Sequence, residues 1–349
     1  MNLIIARAII IATTLHMKPE IFDQKFKDGS TFRASDSFVR KFLHGVLSWS
    51  LRKATQAAQK LPKDWEDQCE QSFFRKAYSI KENDVHPRLY VNSDQTQLLY
   101  APGNRMTYAE IGSKQVAIFG MDEKRAFTLL VSVAADGTIL PFQAVYQGKT
   151  KLSLPAATSP NYDDAINAGF KLVFSGTKTY WSNFGTMCTF VNEILTPYFE
   201  ATKLELSLPP QQKSLWQIDV WSVHRSKEFQ TWMRTNHRNI MVDFIPGGCT
   251  GVHQPCDVGI QRPLKLSMRK SYHETIVNEL RTEFDKGNTA PDLKDTLGVL
   301  HDHSVRWMWN AYKALSNKEL VKKVCLISQS EPNLTFRRHL NDVSFANGI

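Results

Sequence analysis

The sequence lacks the features of a disulfide-bonded, zinc-binding or membrane-spanning protein. Its five cysteines are odd in number and contain no Cys-x-x-Cys pair, which indicates reduced thiols in the cytosol or nucleus. The longest apolar run, residues 3–15, is interrupted by Arg7 and falls short of the roughly 20 apolar residues that a membrane span needs. No basic region precedes it, as a secretory signal requires. We therefore expect a partly buried helix there and no membrane partner.

Internal repeats and low-complexity tracts are also absent. The 349 residues, 42% of them hydrophobic, suffice for one large or two modest domains with a real core. Charge is unbalanced, because 43 Lys and Arg face 34 Asp and Glu and give a net charge of +9. An excess of positive charge favours a polyanionic partner such as nucleic acid, although many soluble proteins are equally basic.

The first part of the chain has helical spacing and is rich in basic residues. Ser35 is placed to cap a helix that continues to Leu43, and residues 49–60 predict a second helix after Gly45. A short turn followed by a basic helix is what a helix-turn-helix presents to a DNA duplex. The residues expected near phosphates are Arg40, Lys41, Arg52 and Lys53. An ordinary helical pair with a solvated basic face remains the alternative.

From residue 85 onwards the pattern changes to strands and then to an alternation of strands and helices. A strand is predicted at residues 88–92, with Asp94 at its end. Further strands are predicted at residues 115–119, 126–133, 138–146, 215–219 and 239–245. The first of these form an antiparallel meander, and residues 148–178 read as a long loop. Helices are predicted at residues 70–80, 180–195 (ended by Pro197), 226–234, 259–280, 305–315 and 318–324. The sequence therefore predicts a mixed α/β domain.

Three aspartates stand where such a fold could bring them together. Asp94 and Asp219 are each predicted to close a strand, and Asp257 lies at the start of a helix. Carboxylates are the ligands that Mg²⁺ prefers, and phosphodiester chemistry commonly uses two metal ions held by such groups. The alternative is that these aspartates only occupy turns or cap helices. Three spaced aspartates are a weak signal in a chain that contains 34 acidic residues.

The blocks around these aspartates resemble the DDE superfamily endonuclease domain of pogo-like transposases, especially the fungal members. The resemblance rests on Asn92-Ser-Asp-Gln-Thr96, Ile218-Asp-Val-Trp-Ser-Val-His224 and Gln254-Pro-Cys-Asp-Val-Gly-Ile-Gln-Arg-Pro-Leu-Lys265 and runs over residues 85–269. Residues 32–55 are similar to the CENP-B-type helix-turn-helix of this family. Relatives usually carry a further helix-turn-helix before it, so we expect this region to be N-terminally truncated.

The resemblance implies an RNase H-like mixed sheet flanked by helices at residues 85–287, a helix-turn-helix region at 1–82 and a helical C-terminal extension at 288–349. It implies that Asp94, Asp219 and Asp257 bind two Mg²⁺ or Mn²⁺ ions, and that His224 holds a phosphate or a carboxylate. Arg262, Lys265 and Arg269 would face the DNA backbone. Expected partners are double-stranded DNA and further copies of the chain on that DNA, and the expected location is the nucleus.

Three functions fit these observations. The first is a transposase-type DNA endonuclease and strand transferase, which the presence of all three aspartates favours. The second is a domesticated or inactive transposase-derived protein that binds DNA without cleaving it. The third is a metal-dependent hydrolase with another substrate, for which the basic helices would be incidental. Metal-dependent nicking of DNA separates the first from the others, whereas salt-sensitive duplex binding alone would favour the second.

Overall fold

The computed structural model describes residues 10, 11, 14, 17–46, 61–100, 125–287 and 296–329, the last four without their side chains. The chain divides into two compact units, residues 1–59 and 60–349. In the described part no helix is long and apolar enough to cross a membrane.

The first unit contains the predicted first basic helix, α1, at Asp36–Gly45. Ser35 caps it as expected, because its hydroxyl accepts a hydrogen bond from the amide of Phe38 at 3.2 Å. Val39 is fully buried, whereas Arg40 and Lys41 are exposed. The helix is confirmed, and its basic residues are on the surface.

The second half of the predicted helix-turn-helix, residues 49–60 with Arg52 and Lys53, lies outside the described residues. The helix-turn-helix therefore stays a prediction.

The second unit is a sheet covered by helices on both faces. Its strands are β1 Tyr90–Leu99, β2 Ala126–Ala134, β3 Gln143–Tyr146, β4 Lys171–Phe174, β5 Ser214–Ile218 and β6 Ile240–Phe244. Its helices are α2 Trp65–Glu82, α3 Tyr162–Asn167, α4 Phe184–Phe190, α5 Thr196–Glu205, α6 Ser222–Arg225, α7 Lys227–Asn236, α8 Thr250–His253, α9 Gln261–Asp285, α10 Leu297–Leu315 and α11 Lys318–Gln329. Single π turns, Val191–Leu195 and Cys256–Ile260, precede α5 and α9.

The strand order is β4-β3-β2-β1-β5-β6. β2 pairs antiparallel with both β1 and β3, whereas the remaining neighbours are parallel. Every strand except β2 therefore runs in one direction, and five strands end at the same edge of the sheet. We call this the carboxyl edge. Ligand sites of open α/β sheets commonly lie there.

Apolar side chains cover both faces of the sheet. One face packs against the second π turn, α9, α10 and α11 through residues such as Phe127, Leu264 and Trp307. The other packs against α4, α5 and α7 through residues such as Phe190 and Trp216. This three-layer arrangement is the RNase H-like mixed sheet flanked by helices that the sequence predicted.

Three details of the predicted elements are wrong. Asp94 does not close a strand, because β1 continues to Leu99 in a nine-residue antiparallel register with β2. The predicted loop at residues 148–178 contains α3 and β4, and β4 is stabilised by parallel pairing with β3. Pro197 does not end its helix. It follows the π turn Val191–Leu195, and the helix continues through it as α5 to Glu205.

Candidate active site

The parallel pairing of β1 with β5 brings Asp94 and Asp219 to adjacent positions. Asn92 is the register partner of Gln217, and each aspartate lies two residues further along its strand. Asp219 directly follows the end of β5 at Ile218, at the carboxyl edge. Register, which sequence spacing does not reveal, therefore brings Asp94 and Asp219 to the region just beyond the last β1–β5 pair.

Asp257 joins them through the buried amide of Asn92. Asn92 Nδ2 donates to the carbonyl oxygen of Gln217 on β5 at 3.2 Å. Asn92 Oδ1 accepts from the backbone amide of Cys256 at 3.1 Å, the residue before Asp257. One side chain on β1 thus connects the strand that leads to Asp219 with the π turn that carries Asp257. Such π turns are frequent at functional sites.

Asp94 and Asp257 interact directly, and Asp219 adds its charge to both. Removal from solvent, with the negative charges of Asp257 and Asp219, raises the pKa of Asp94 to about 8. The pKa of Asp257 is also raised, chiefly by desolvation, although hydrogen bonds with Asp94 and Thr250 and the positive charge of Lys265 oppose the shift. The three sequence-predicted carboxylates therefore share one electrostatic site.

Gln261 is a site residue that sequence reasoning missed. It lies one helical turn after Asp257, is 7% exposed, and donates from Nε2 to Asp94 Oδ2 at 2.6 Å. Its Oε1 is buried and has no hydrogen-bond partner among the residues that the structure describes. The sequence could have indicated Gln261 as a site residue, because it lies four positions after Asp257 and residues four apart on a helix share a face.

His224 contacts Asp219. Its Nδ1 lies 3.0 Å from Asp219 Oδ1 and 3.2 Å from the carbonyl oxygen of the same residue. Both partners are acceptors, so Nδ1 carries the proton in this tautomer. The ring is buried and packs against Trp216, Trp221 and Phe229. Of the two partners expected for His224, the carboxylate is the one it contacts.

The donor set suits a hard divalent cation. The carboxylates of Asp94, Asp219 and Asp257 act on one another electrostatically, and in Asp94 and Asp257 the charged form is disfavoured. A cation at this point would relieve that repulsion. Among the described residues no three His, Cys, Asp or Glu side chains already close around one point. An open set of ligands still fits Mg²⁺, which usually takes one or two carboxylates together with water and substrate oxygens.

The predicted basic residues of α9 follow the site along the helix. Arg262, Lys265 and Arg269 are all exposed, and the charge of Lys265 acts on Asp257. The opposite side of α9, which contains Leu264 and Met268, is buried and packs on the sheet. These cations are therefore available to a polyanion next to the carboxylates.

Comparison with known proteins identifies relatives that are longer than this chain. It is 22% identical over 304 residues to the human protein "Pogo transposable element with KRAB domain", covering 86% of this chain and 45% of that protein. The mouse protein of the same name is 22% identical over 243 residues, covering 68% of this chain and 35% of that protein. The chain thus spans less than half the length of these relatives.

Solved structures of the Mos1 transposase are similar at low identity. The pre-cleavage Mos1 transpososome is 11% identical with a TM-score of 0.40, covering 85% of this chain and 71% of that chain. The Mos1 catalytic domain is 10% identical with a TM-score of 0.34, covering 81% of this chain and 98% of that chain. At these TM-scores the likeness decides neither substrate nor mechanism for this chain.

A family model decides the family. The model described as DDE superfamily endonuclease matches residues 123–323, which is more than half of the 349 residues. The match contains Asp219, His224, Asp257 and Gln261, and Asp94 precedes it. This chain belongs to the DDE superfamily endonuclease family.

Proposed function

We propose that this protein is a transposase-type DNA endonuclease and strand transferase. The observation that carries this proposal is the link that Asn92 makes between the segments of Asp219 and Asp257, together with the electrostatic effect of these two carboxylates on Asp94. The pogo-like relatives and the exposed cations of α9 support DNA as the substrate. The nuclear location, the association of copies on DNA and the helix-turn-helix at residues 1–82 remain part of this proposal.

The three aspartates would hold two Mg²⁺ or Mn²⁺ ions. When bound, such ions activate an attacking oxygen and stabilise the leaving oxygen of a phosphodiester. His224 would keep Asp219 in one orientation through its Nδ1–H, and Gln261 would do the same for Asp94 through its amide. Ligand partners of this kind commonly change metal affinity or activity 10- to 100-fold when they are replaced.

Two chemical steps would use the same site. In the first, a water oxygen forms a bond to phosphorus while the bond from phosphorus to the 3′ oxygen breaks, and that oxygen takes up a proton. In the second, the freed 3′-OH attacks a target phosphodiester, and the target's own 3′ oxygen leaves. Lys265, beside Asp257, and the exposed Arg262 and Arg269 would bind phosphates and hold the strand in line.

A plasmid-nicking assay tests this function. We expect purified protein to convert supercoiled DNA to nicked circles in Mn²⁺ or Mg²⁺, and EDTA to stop the reaction. Asp219→Asn and Asp257→Asn should each lower the rate by at least about 100-fold, whereas Asp285→Asn, at the exposed end of α9, should not. Equal nicking by wild type and the site variants, or no nicking with either metal, would defeat the proposal.

A DNA-binding protein without catalysis is the second candidate, favoured by the exposed cations of α1 and α9, which act independently of the carboxylates. It would bind duplex DNA with steep salt dependence and never nick it. Asp219→Asn and Asp257→Asn would then keep or increase duplex affinity, because each removes a negative charge near the basic helix.

A further inference from the structure

Trp181 is a large aromatic residue on the surface of the second unit. Its side chain is 51% exposed, and its ring lies 5.3 Å from that of Tyr180, tilted by 39°. An exposed tryptophan beside a second ring offers a flat apolar area that any nucleobase can stack on.

The pair of rings is fixed to the two central strands. Gln97 on β1 donates to the hydroxyl of Tyr180 at 2.6 Å, and Thr128 on β2 donates to the carbonyl oxygen of Tyr180 at 2.8 Å. Gln97 and Thr128 are register partners. The Tyr180 ring is therefore held in place, and it supports the Trp181 ring through their contact, which lowers the ordering entropy lost when a base binds.

The strand directions place these rings on the same edge as the proposed catalytic site. β3 and β4 run parallel to β1 and β5, so the segments that follow them leave at the carboxyl edge, where Asp219 follows β5. Gln97, which holds Tyr180, lies three residues beyond Asp94 on β1. About 10 Å of strand separates the two positions, and because they are three residues apart, Asp94 points to the face covered by α9 and Gln97 to the face covered by α4. A single strand that reaches both would pass around the end of the sheet.

Two exposed lysines lie on the segments that follow β3 and β4, the second of which leads to the rings. The segments after β3 and β4 are joined by hydrogen bonds from Gly148 to Thr177 and from Gly176 to Gly148. Lys149 and Lys178 directly follow the bridged residues and are exposed. Residues 137–162 and 165–192 contain no Asp or Glu. These segments would therefore attract a polyanion through Lys149 and Lys178, and they contain no carboxylate that would repel it.

We propose that Trp181 and Tyr180, flanked by Lys149 and Lys178, form a stacking platform for unpaired bases of a DNA strand that passes through the carboxylate site. The inference rests on the proposed DNA endonuclease function. A single strand is the occupant because its bases expose their faces, whereas the bases of a duplex are stacked on one another. The lysines would bind the phosphates on either side of the stacked base.

The test measures DNA binding without cleavage, in EDTA. Fluorescence anisotropy compares labelled oligo(dT) with a duplex of equal length for the full chain and three variants. We expect Trp181→Ala to weaken oligo(dT) binding by about 5- to 150-fold, the loss that follows when one stacked base is removed. Trp181→Phe should largely retain affinity, and Phe74→Ala, which removes a 59% exposed aromatic on α2, should not weaken it. Duplex affinity should be unchanged in all three.

Lys149 and Lys178 provide a second measurement, the salt dependence of binding, which a loss of folded protein would not change. Lys149→Gln with Lys178→Gln should reduce the salt dependence of oligo(dT) binding by about 0.7 per lost phosphate contact. The platform is refuted if Trp181→Ala binds oligo(dT) like wild type, or loses single-strand and duplex binding equally. If wild type also nicks plasmid in Mn²⁺, the proposed function stands without the platform. A wild type that binds neither DNA form overturns both.

Discussion

Asn92 Oδ1 accepts a hydrogen bond from the amide of Cys256 at 3.1 Å and so fixes the π turn of Asp257 to the strand of Asp94. The side chain of Asn92 is 1% exposed, and its other end donates to Gln217 on β5. The geometry of all three carboxylates therefore depends on one amide.

Replacing Asn92 by leucine should damage both stability and cleavage. The change keeps the branching and the number of side-chain heavy atoms but leaves the Cys256 amide and the Gln217 carbonyl without the hydrogen bonds from Asn92, at a cost of about 1–3 kcal/mol for each group. We expect the free energy of unfolding, measured by urea denaturation, to fall by at least about 2 kcal/mol.

Asn278→Leu, at an exposed position of α9, is the matched control and should change stability by less than about 0.5 kcal/mol. An Asn92→Leu protein that is as stable as this control would show that the two hydrogen bonds contribute nothing to the fold.

The carboxylate cluster should destabilise the protein when no cation is present. Asp94→Asn removes one negative charge and keeps an acceptor for Gln261. In EDTA we expect it to raise the free energy of unfolding by about 1 kcal/mol or more, because a raised pKa means that the charged form is disfavoured in the fold. Asp285→Asn should not have this effect.

Adding Mn²⁺ should reverse the order of these stabilities. An ion that binds only the folded state stabilises it by mass action, so the melting temperature of wild type should rise with Mn²⁺ concentration and that of Asp94→Asn should rise less. If Asp94→Asn melts below wild type in EDTA and responds equally to Mn²⁺, the three carboxylates do not form a shared cation site.

The buried His301 should make the protein sensitive to mild acid. It packs between Tyr100 and Tyr146, and burial lowers its pKa from 6.5 to about 4. Between these values the unfolded chain takes up a proton that the folded chain refuses, so stability is present above about pH 6.5 and is lost as pH falls towards 4. The expected slope is about 1.4 kcal/mol per pH unit from this residue.

His253, also buried with a pKa lowered to about 4 by desolvation, should contribute similarly. Asp94, with its pKa raised to about 8, contributes a slope of the opposite sign over the same range, so the contribution of His301 is measured as a difference. Urea denaturation from pH 7 to pH 4.5 should give His301→Gln a slope lower than that of wild type by about 1.4 kcal/mol per pH unit. An unchanged slope in that variant would show that His301 is protonated in the fold.

The sequence predicted the apolar strands β2, β5 and β6 better than the polar β1, although it missed the short apolar strand β4. β2, β5 and β6 are runs of β-branched and apolar residues, whereas β1 contains a polar stretch around Asp94 that resembles a strand end. Its polar side chains can lie within the sheet because they form hydrogen bonds with residues from distant segments of the chain. Ser93, for example, shares hydrogen bonds with Ser132 and Trp216. Such pairings are set by tertiary contacts and leave no local signal.

The site was predictable as a set of residue types but not as a geometry. Asp219, His224 and Asp257 could be named from their blocks. The contributions of Asn92 and Gln261 follow from the parallel register of β1 with β5 and from the packing of α9 on the sheet. Both depend on residues more than a hundred positions apart, which periodicity within a segment cannot reveal.

Metal-specific rescue of Asp219→Cys tests most directly whether these carboxylates hold catalytic ions. A thiolate is a softer ligand than a carboxylate and favours Mn²⁺ over Mg²⁺. We expect Asp219→Cys to lose plasmid nicking in Mg²⁺ by at least about 100-fold and to regain a measurable part of it in Mn²⁺. Asp285→Cys should nick as wild type does with either ion. Nicking by Asp219→Cys in Mg²⁺ at the wild-type rate would contradict the account.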